Sequence, residues 1–96
     1  MFQPISQDNE VTDQKVNVVV FGTHWCAATQ IARRMLERLK VPYDFRDMDS
    51  DAQAAKQVRW WTGGYASHPT IQIAGKIMIE PSPNELEQEL AQNGLI

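Results

Sequence analysis

From Lys15 to Phe21 the chain is β-branched and nearly continuously apolar, the pattern of a strand covered on both faces, as in a parallel sheet. The period then lengthens. Ala28, Ile31, Ala32, Met35 and Leu39 recur at helical spacing, while Arg33, Arg34, Glu37, Arg38 and Lys40 point elsewhere. An amphipathic helix is expected here, its late basic residues suited to its negative end. Val41-Pro42 stops it, because proline disfavours helical geometry at the residue before it. Tyr43 to Met48 alternates as a strand with one partly polar face, close to a sheet edge.

Ser50-Asp51-Ala52-Gln53 reads as a capping box opening a second helix, with Ala52, Ala55 and Val58 inward. Gly63-Gly64 breaks that helix. Thr70 to Ile73 and Ile77 to Ile79 flank Ala74-Gly75, a hairpin signal weaker than Asn-Gly. Ser82-Pro83-Asn84-Glu85 is a strong helix start, with Ser at the cap, Pro first and Glu third. Leu86 and Leu90 supply that helix's buried face, and Asn93-Gly94 ends it. The order is β-α-β-α-β-β-α. With a right-handed crossover in the first βαβ unit, it predicts an α/β fold: a mixed four-stranded sheet with helices on both faces. Residues 1–14 are polar and aperiodic with an early proline, and read as a flexible N-terminal arm; residues 15–96 form the single domain.

A chain of 96 residues has room for one modest core. The net charge is −3, and the few Lys and Arg residues are spread out, so no nucleic-acid partner is expected. The longest apolar run is too short to span a bilayer, and no basic segment followed by an apolar stretch marks a secretory signal. No membrane partner is expected. One cysteine cannot make an internal disulfide, and cytoplasmic residence is the natural expectation.

That cysteine, Cys26, lies where the first strand turns into the first helix. The plain reading of a lone cysteine is a small buried hydrophobe. The placement supports another reading. A thiol at a helix N-terminus faces unpaired backbone N–H groups and the positive end of the dipole, and both favour the reactive thiolate. Three features stand together: Trp25-Cys26-Ala27-Ala28-Thr29 opening the first helix, the element order, and Ser67-His68-Pro69 just before the third strand. Together they resemble the glutaredoxin family of thioredoxin-fold proteins over roughly residues 15–93. The Glu80-Pro81-Ser82-Pro83-Asn84-Glu85-Leu86 stretch is similar to a segment of its mycoredoxin-like branch.

The resemblance implies a monothiol thiol–disulfide oxidoreductase with Cys26 as nucleophile. Thr29 stands in the second cysteine's place, so the reaction intermediate must be resolved by an outside thiol. The Thr29 hydroxyl either donates to the Cys26 thiolate or caps the helix. The resemblance also implies a cis bond before Pro69, with His68 beside the nucleophile; the residues alone favour a trans proline starting an edge strand. His68 and His24 are candidates to stabilise the thiolate or take its proton, against plain roles filling a pocket and capping a loop. Trp25, Ser67, His68, Pro69, Ser82 and Asn84 are the expected substrate-binding residues. Thr23 stands where many glutaredoxins carry a lysine for the glycine carboxylate of glutathione. Pro81 and Pro83 remove backbone donors for its γ-glutamyl end. The implied co-substrate is a low-molecular-weight thiol, glutathione or mycothiol-like, with protein mixed disulfides as partners and no tightly bound cofactor. Cys26 and two histidines match no zinc spacing, and no metal is expected. The chain is expected to be a monomer or weak dimer. The alternative function is a thioredoxin-fold binding module for an iron–sulfur cluster, a metal or a protein partner.

Overall fold

The computed structural model describes residues 16–96; the expected N-terminal arm lies outside the described residues. Four strands, β1 (Val18–Gly22), β2 (Asp44–Asp47), β3 (Thr70–Ile73) and β4 (Lys76–Ile79), alternate with three helices, α1 (Ala27–Arg38), α2 (Ala52–Thr62) and α3 (Pro83–Gln92). The sheet runs in the order β2-β1-β3-β4. β1 pairs parallel with β2 and antiparallel with β3, and β3 pairs antiparallel with β4. The thioredoxin-like α/β architecture expected from the element order is therefore present, with β2 at an edge.

The alternation of β1 distributes the core over two layers. Val18 and Val20 join Ile71 and Ile73 of β3, and Ala32, Met35, Leu36, Leu86 and Leu90 of α1 and α3 cover them. Val19 and Phe21 point to the opposite face, where Ala54, Ala55, Val58 and Trp61 of α2 pack with Met48. Trp61 meets the Phe21 ring edge-on at 5.2 Å. Its neighbour Trp60 is left exposed, as adjacent residues on one helix cannot both face one layer.

The hairpin between β3 and β4 turns on Ala74 and Gly75, both at positive φ (49° and 91°), as a two-residue primed turn requires. The start of α3 is also as expected. Ser82 accepts from the Glu85 N–H, Glu85 returns the bond to the Ser82 N–H, and Pro83 leads the helix. Two details of the sequence reading are corrected. The inward face of α1 is Thr29, Ala32, Met35 and Leu36, whereas Ala28 and Ile31 are exposed. Those two residues flank an apolar hollow against Pro81 and Pro83 instead of the sheet. In α2 the cap is Asp51, whose carboxylate accepts from the Ala54 N–H. Ser50 turns back to Asp47 instead, so no capping box forms, and Ala54, with Ala55 and Val58, takes the buried place expected of Ala52.

Candidate active site

β1 ends at Gly22, and the chain passes through Thr23, His24 and Trp25 to Cys26, the N-cap residue of α1. The Cys26 backbone is extended (φ −86°, ψ 121°) and its side chain makes no cap bond of hydrogen-bond geometry, although the Thr29 and Ala28 N–H groups are near enough to lower its pKa. The Cys26 carbonyl accepts the first helical bond from Gln30 at 3.1 Å.

The loop before the sulfur is held from three directions. The Trp25 indole N–H donates to Asp49 at 2.7 Å. The imidazole of His24 lies 3.5 Å from the Asp47 carboxylate and edge-on to Phe45. The Gln30 amide donates to the His24 carbonyl at 3.0 Å. Asp47 and Asp49 follow from topology: β2 is the parallel neighbour of β1, so its C-terminal end lies beside the loop that leaves β1. The sequence reading did not single out these carboxylates. Their signal was the acidic run Asp47-Met48-Asp49 closing an edge strand.

On the other side of Cys26 stands the loop before β3. The His68–Pro69 bond is cis, as the family resemblance implied. The Cys26 thiol lies 3.9 Å from the His68 carbonyl, which accepts from it. The His68 ring is edge-on to the Trp25 ring at 5.1 Å, and its Nδ1 is buried without a hydrogen-bond partner among the described residues. The loop is tied to the sheet at both ends: Thr70 Oγ1 donates to the Ser67 carbonyl at 2.9 Å, and the Glu80 N–H donates to the Pro69 carbonyl at 2.9 Å.

Thr29, one helical turn beyond the sulfur, is fully buried and its hydroxyl has no hydrogen-bond partner among the described residues. It therefore does not cap the helix. It presses on Gly22 so closely that a Cβ there would sit 2.5 Å from Thr29 Cγ2. Burial pushes the Cys26 thiol up, but the donors around it outweigh burial and lower its pKa to about 7. In order of effect they are the Thr29 hydroxyl, the Thr29 N–H, the His68 side chain and the Ala28 N–H. A hydroxyl without an acceptor beside a neutral thiol gains one when the sulfur ionises.

The remaining expected residues are distributed as follows. His24 is turned to Asp47 and Phe45. Trp25 is mostly exposed beside the sulfur. Ser82 has its N–H and hydroxyl engaged in the α3 cap. Asn84 is exposed and lines a shallow cleft with Glu87, Gln88 and Ala91. Thr23 is buried and presents no polar group at the surface. An apolar hollow of about 120 Å³ adjoins the site between Ala28, Ile31 and Met35 of α1 and Pro81, Pro83 and Leu86. Among the described residues no cluster of three or more His, Cys, Asp or Glu side chains is arranged to hold a metal ion, and no helix is long and apolar enough to cross a membrane.

A lone cysteine capping the first helix of this sheet, opposite a His-Pro loop, defines a thioredoxin-like protein. The sequence profile of glutaredoxin matches residues 18–78, and the chain belongs to the glutaredoxin family. Among solved structures it is similar to the thioredoxin-like protein BC3987, at 25% identity and TM-score 0.67, over 74% of this chain and 96% of that one. It is similar to a glutaredoxin of Archaeoglobus fulgidus at 16% identity and TM-score 0.68, over 86% and 95% of the two chains. A buckwheat glutaredoxin–glutathione complex aligns at 21% identity and TM-score 0.60, over 88% and 79%. No curated protein sequence matches the chain.

Proposed function

We propose that this protein is a monothiol thiol–disulfide oxidoreductase of the mycoredoxin-like branch, working in the cytoplasm on mixed disulfides between proteins and low-molecular-weight thiols. The Cys26 thiolate attacks the mixed disulfide and takes one half of it into a covalent intermediate. A second small thiol then attacks that intermediate and frees Cys26, because Thr29 has no sulfur to do so. The observation that carries this reading is the set of donors converging on Cys26. With a pKa of about 7, about half of the sulfur is thiolate at neutral pH, and the thiolate is the nucleophile.

Trp25 and the Ser67-His68-Pro69 loop form the sides of the groove in which the disulfide lies, with Trp25 as its apolar lip. The start of α3 bears on the choice of thiol. Pro81 and Pro83 have no N–H, and the Ser82 N–H is already bonded to Glu85, so few donors remain there for a γ-glutamyl carboxylate. A buckwheat glutaredoxin is solved with glutathione. For this chain a mycothiol-like co-substrate fits the altered loop at least as well.

The test is reduction of a cysteinyl-protein mixed disulfide with either small thiol in excess. Cys26→Ser abolishes turnover, whereas Thr29→Ala keeps a substantial part of it. Turnover by the Cys26→Ser protein equal to that of the wild type would refute the reading.

A further inference from the structure

In thiol–disulfide exchange a thiolate attacks a disulfide and expels another thiolate, yet at neutral pH the outside thiols that enter and leave are mostly protonated. A small thiol with a pKa of about 8.5 arrives protonated, and an expelled alkyl thiolate must be protonated as it leaves. With Thr29 in place of a second sulfur, both protons belong to outside molecules. The Thr29 hydroxyl is far too weak an acid to exchange them. Among titratable neighbours, His24 is turned to Asp47, and Asp49 is occupied by the Trp25 N–H.

His68 is placed differently. Its carbonyl meets the Cys26 thiol, its ring lies edge-on to Trp25, and its side chain is among the donors to the Cys26 sulfur. Its Nδ1 is buried and bonded to nothing among the described residues. A polar nitrogen left so lacks the bond that would offset its desolvation. An imidazole nitrogen donates when protonated and accepts when not.

Building on the monothiol reading, we propose that His68 carries the proton of the exchange reaction, giving it to the leaving thiolate and taking it back from the resolving thiol. In the first half, Cys26 S⁻ attacks R–S–S–R′. The S–S bond breaks, Cys26–S–S–R forms, and the imidazolium protonates R′–S⁻ to R′–SH. In the second half, the neutral imidazole takes the proton of a low-molecular-weight thiol R″–SH as its sulfur attacks the sulfur of R. R″–S–S–R is released, Cys26 S⁻ is restored and the imidazolium re-forms. R–S–S–R′ and R″–SH are consumed, R″–S–S–R and R′–SH are produced, and the protein is unchanged.

The test compares His68→Ala and His68→Asn with the wild type on two disulfides and one alkylating agent. Dipyridyl disulfide expels a thiolate that needs no proton, bis(2-hydroxyethyl) disulfide expels one that does, and iodoacetamide reports the thiolate alone. The expected result is a loss of about a hundredfold with the alkyl disulfide, with the dipyridyl disulfide and iodoacetamide rates falling together and far less. Added imidazole restores part of the alkyl rate in His68→Ala. An equal loss on all three reagents, or an undiminished alkyl rate, overturns the proposal. His68→Asn keeps a polar nitrogen near the Nδ1 position without a carried proton, and reads the same ratio should the alanine variant fold poorly. Failure of the monothiol reading would show separately, as a Cys26→Ser protein that still turns over.

Discussion

Replacing Thr29 with Val removes one hydroxyl while nearly keeping the shape of the side chain, and so isolates what that oxygen does. The hydroxyl is fully buried, has no hydrogen-bond partner among the described residues and is the foremost group lowering the Cys26 pKa. A hydrogen bond to a charged group is worth about 1.5–3 kcal/mol, and partial exposure of Cys26 places this one at the low end. At about 1.4 kcal/mol per pKa unit, the Cys26 pKa should rise by about one unit from its value of about 7. The thiolate fraction at pH 7 then falls from about one half to about one tenth, and the iodoacetamide rate falls with it, about fivefold. Above pH 9.5 both proteins are ionised and their rates converge. The hydroxyl is an unpaired buried group while the sulfur is neutral, so at pH 6 Thr29→Val should be at least as stable to urea as the wild type. An unchanged midpoint in the pH–rate curve would mean that the backbone N–H groups act alone, and would refute the role given to Thr29.

A Cβ at position 22 would lie 2.5 Å from Thr29 Cγ2 and 2.6 Å from its Oγ1. Gly22→Ala should therefore cost about 1–3 kcal/mol in urea unfolding, as overpacking does, and adding Thr29→Ala should recover most of it. Cys26 also links stability to pH. Its folded pKa of about 7 lies below the ordinary 9.0, so its contribution is fully present above the unfolded value and is lost as pH falls through 7. The urea midpoint of the wild type should gain on that of Cys26→Ser between pH 7 and 9, and parallel curves would contradict this.

Much of the fold was legible because its signals are local and redundant. The capping box at Ser82 and the primed turn at Ala74-Gly75 are each set by a few adjacent residues, and both formed as read. The less legible parts depend on tertiary fit. In α1 apolar spacing alone put Ile31 inward. The sheet instead took Thr29 and Leu36, because the apolar stripe is wide enough to serve both the sheet and the hollow beside Pro81 and Pro83. In α2, Ser50 and Asp51 are both good caps, and the choice fell to Asp51 because Ser50 is engaged by the Asp47 turn. Asp47 and Asp49 showed in the sequence only as an acidic run closing an edge strand, since their contacts to His24 and Trp25 arise only when β2 lies beside β1.

The rotation of α1 also decides a question the sequence left open. The face first expected leaves Thr29 at its flank, where a half-exposed hydroxyl bonds to water as readily as to sulfur and adds little to either. Turned inward and seated on Gly22, it is shut off from water and does not cap the helix, which starts without a side-chain bond from Cys26 as well. The acceptor it lacks is supplied when Cys26 loses its proton. Helical spacing puts the hydroxyl one turn from the sulfur, and the close approach to a residue without a side chain lets it be buried there. Packing and reactivity meet in the same contact: the strand ends in glycine so that Thr29 can be buried there, and burial makes a single hydroxyl worth enough to move a thiol toward neutral pH.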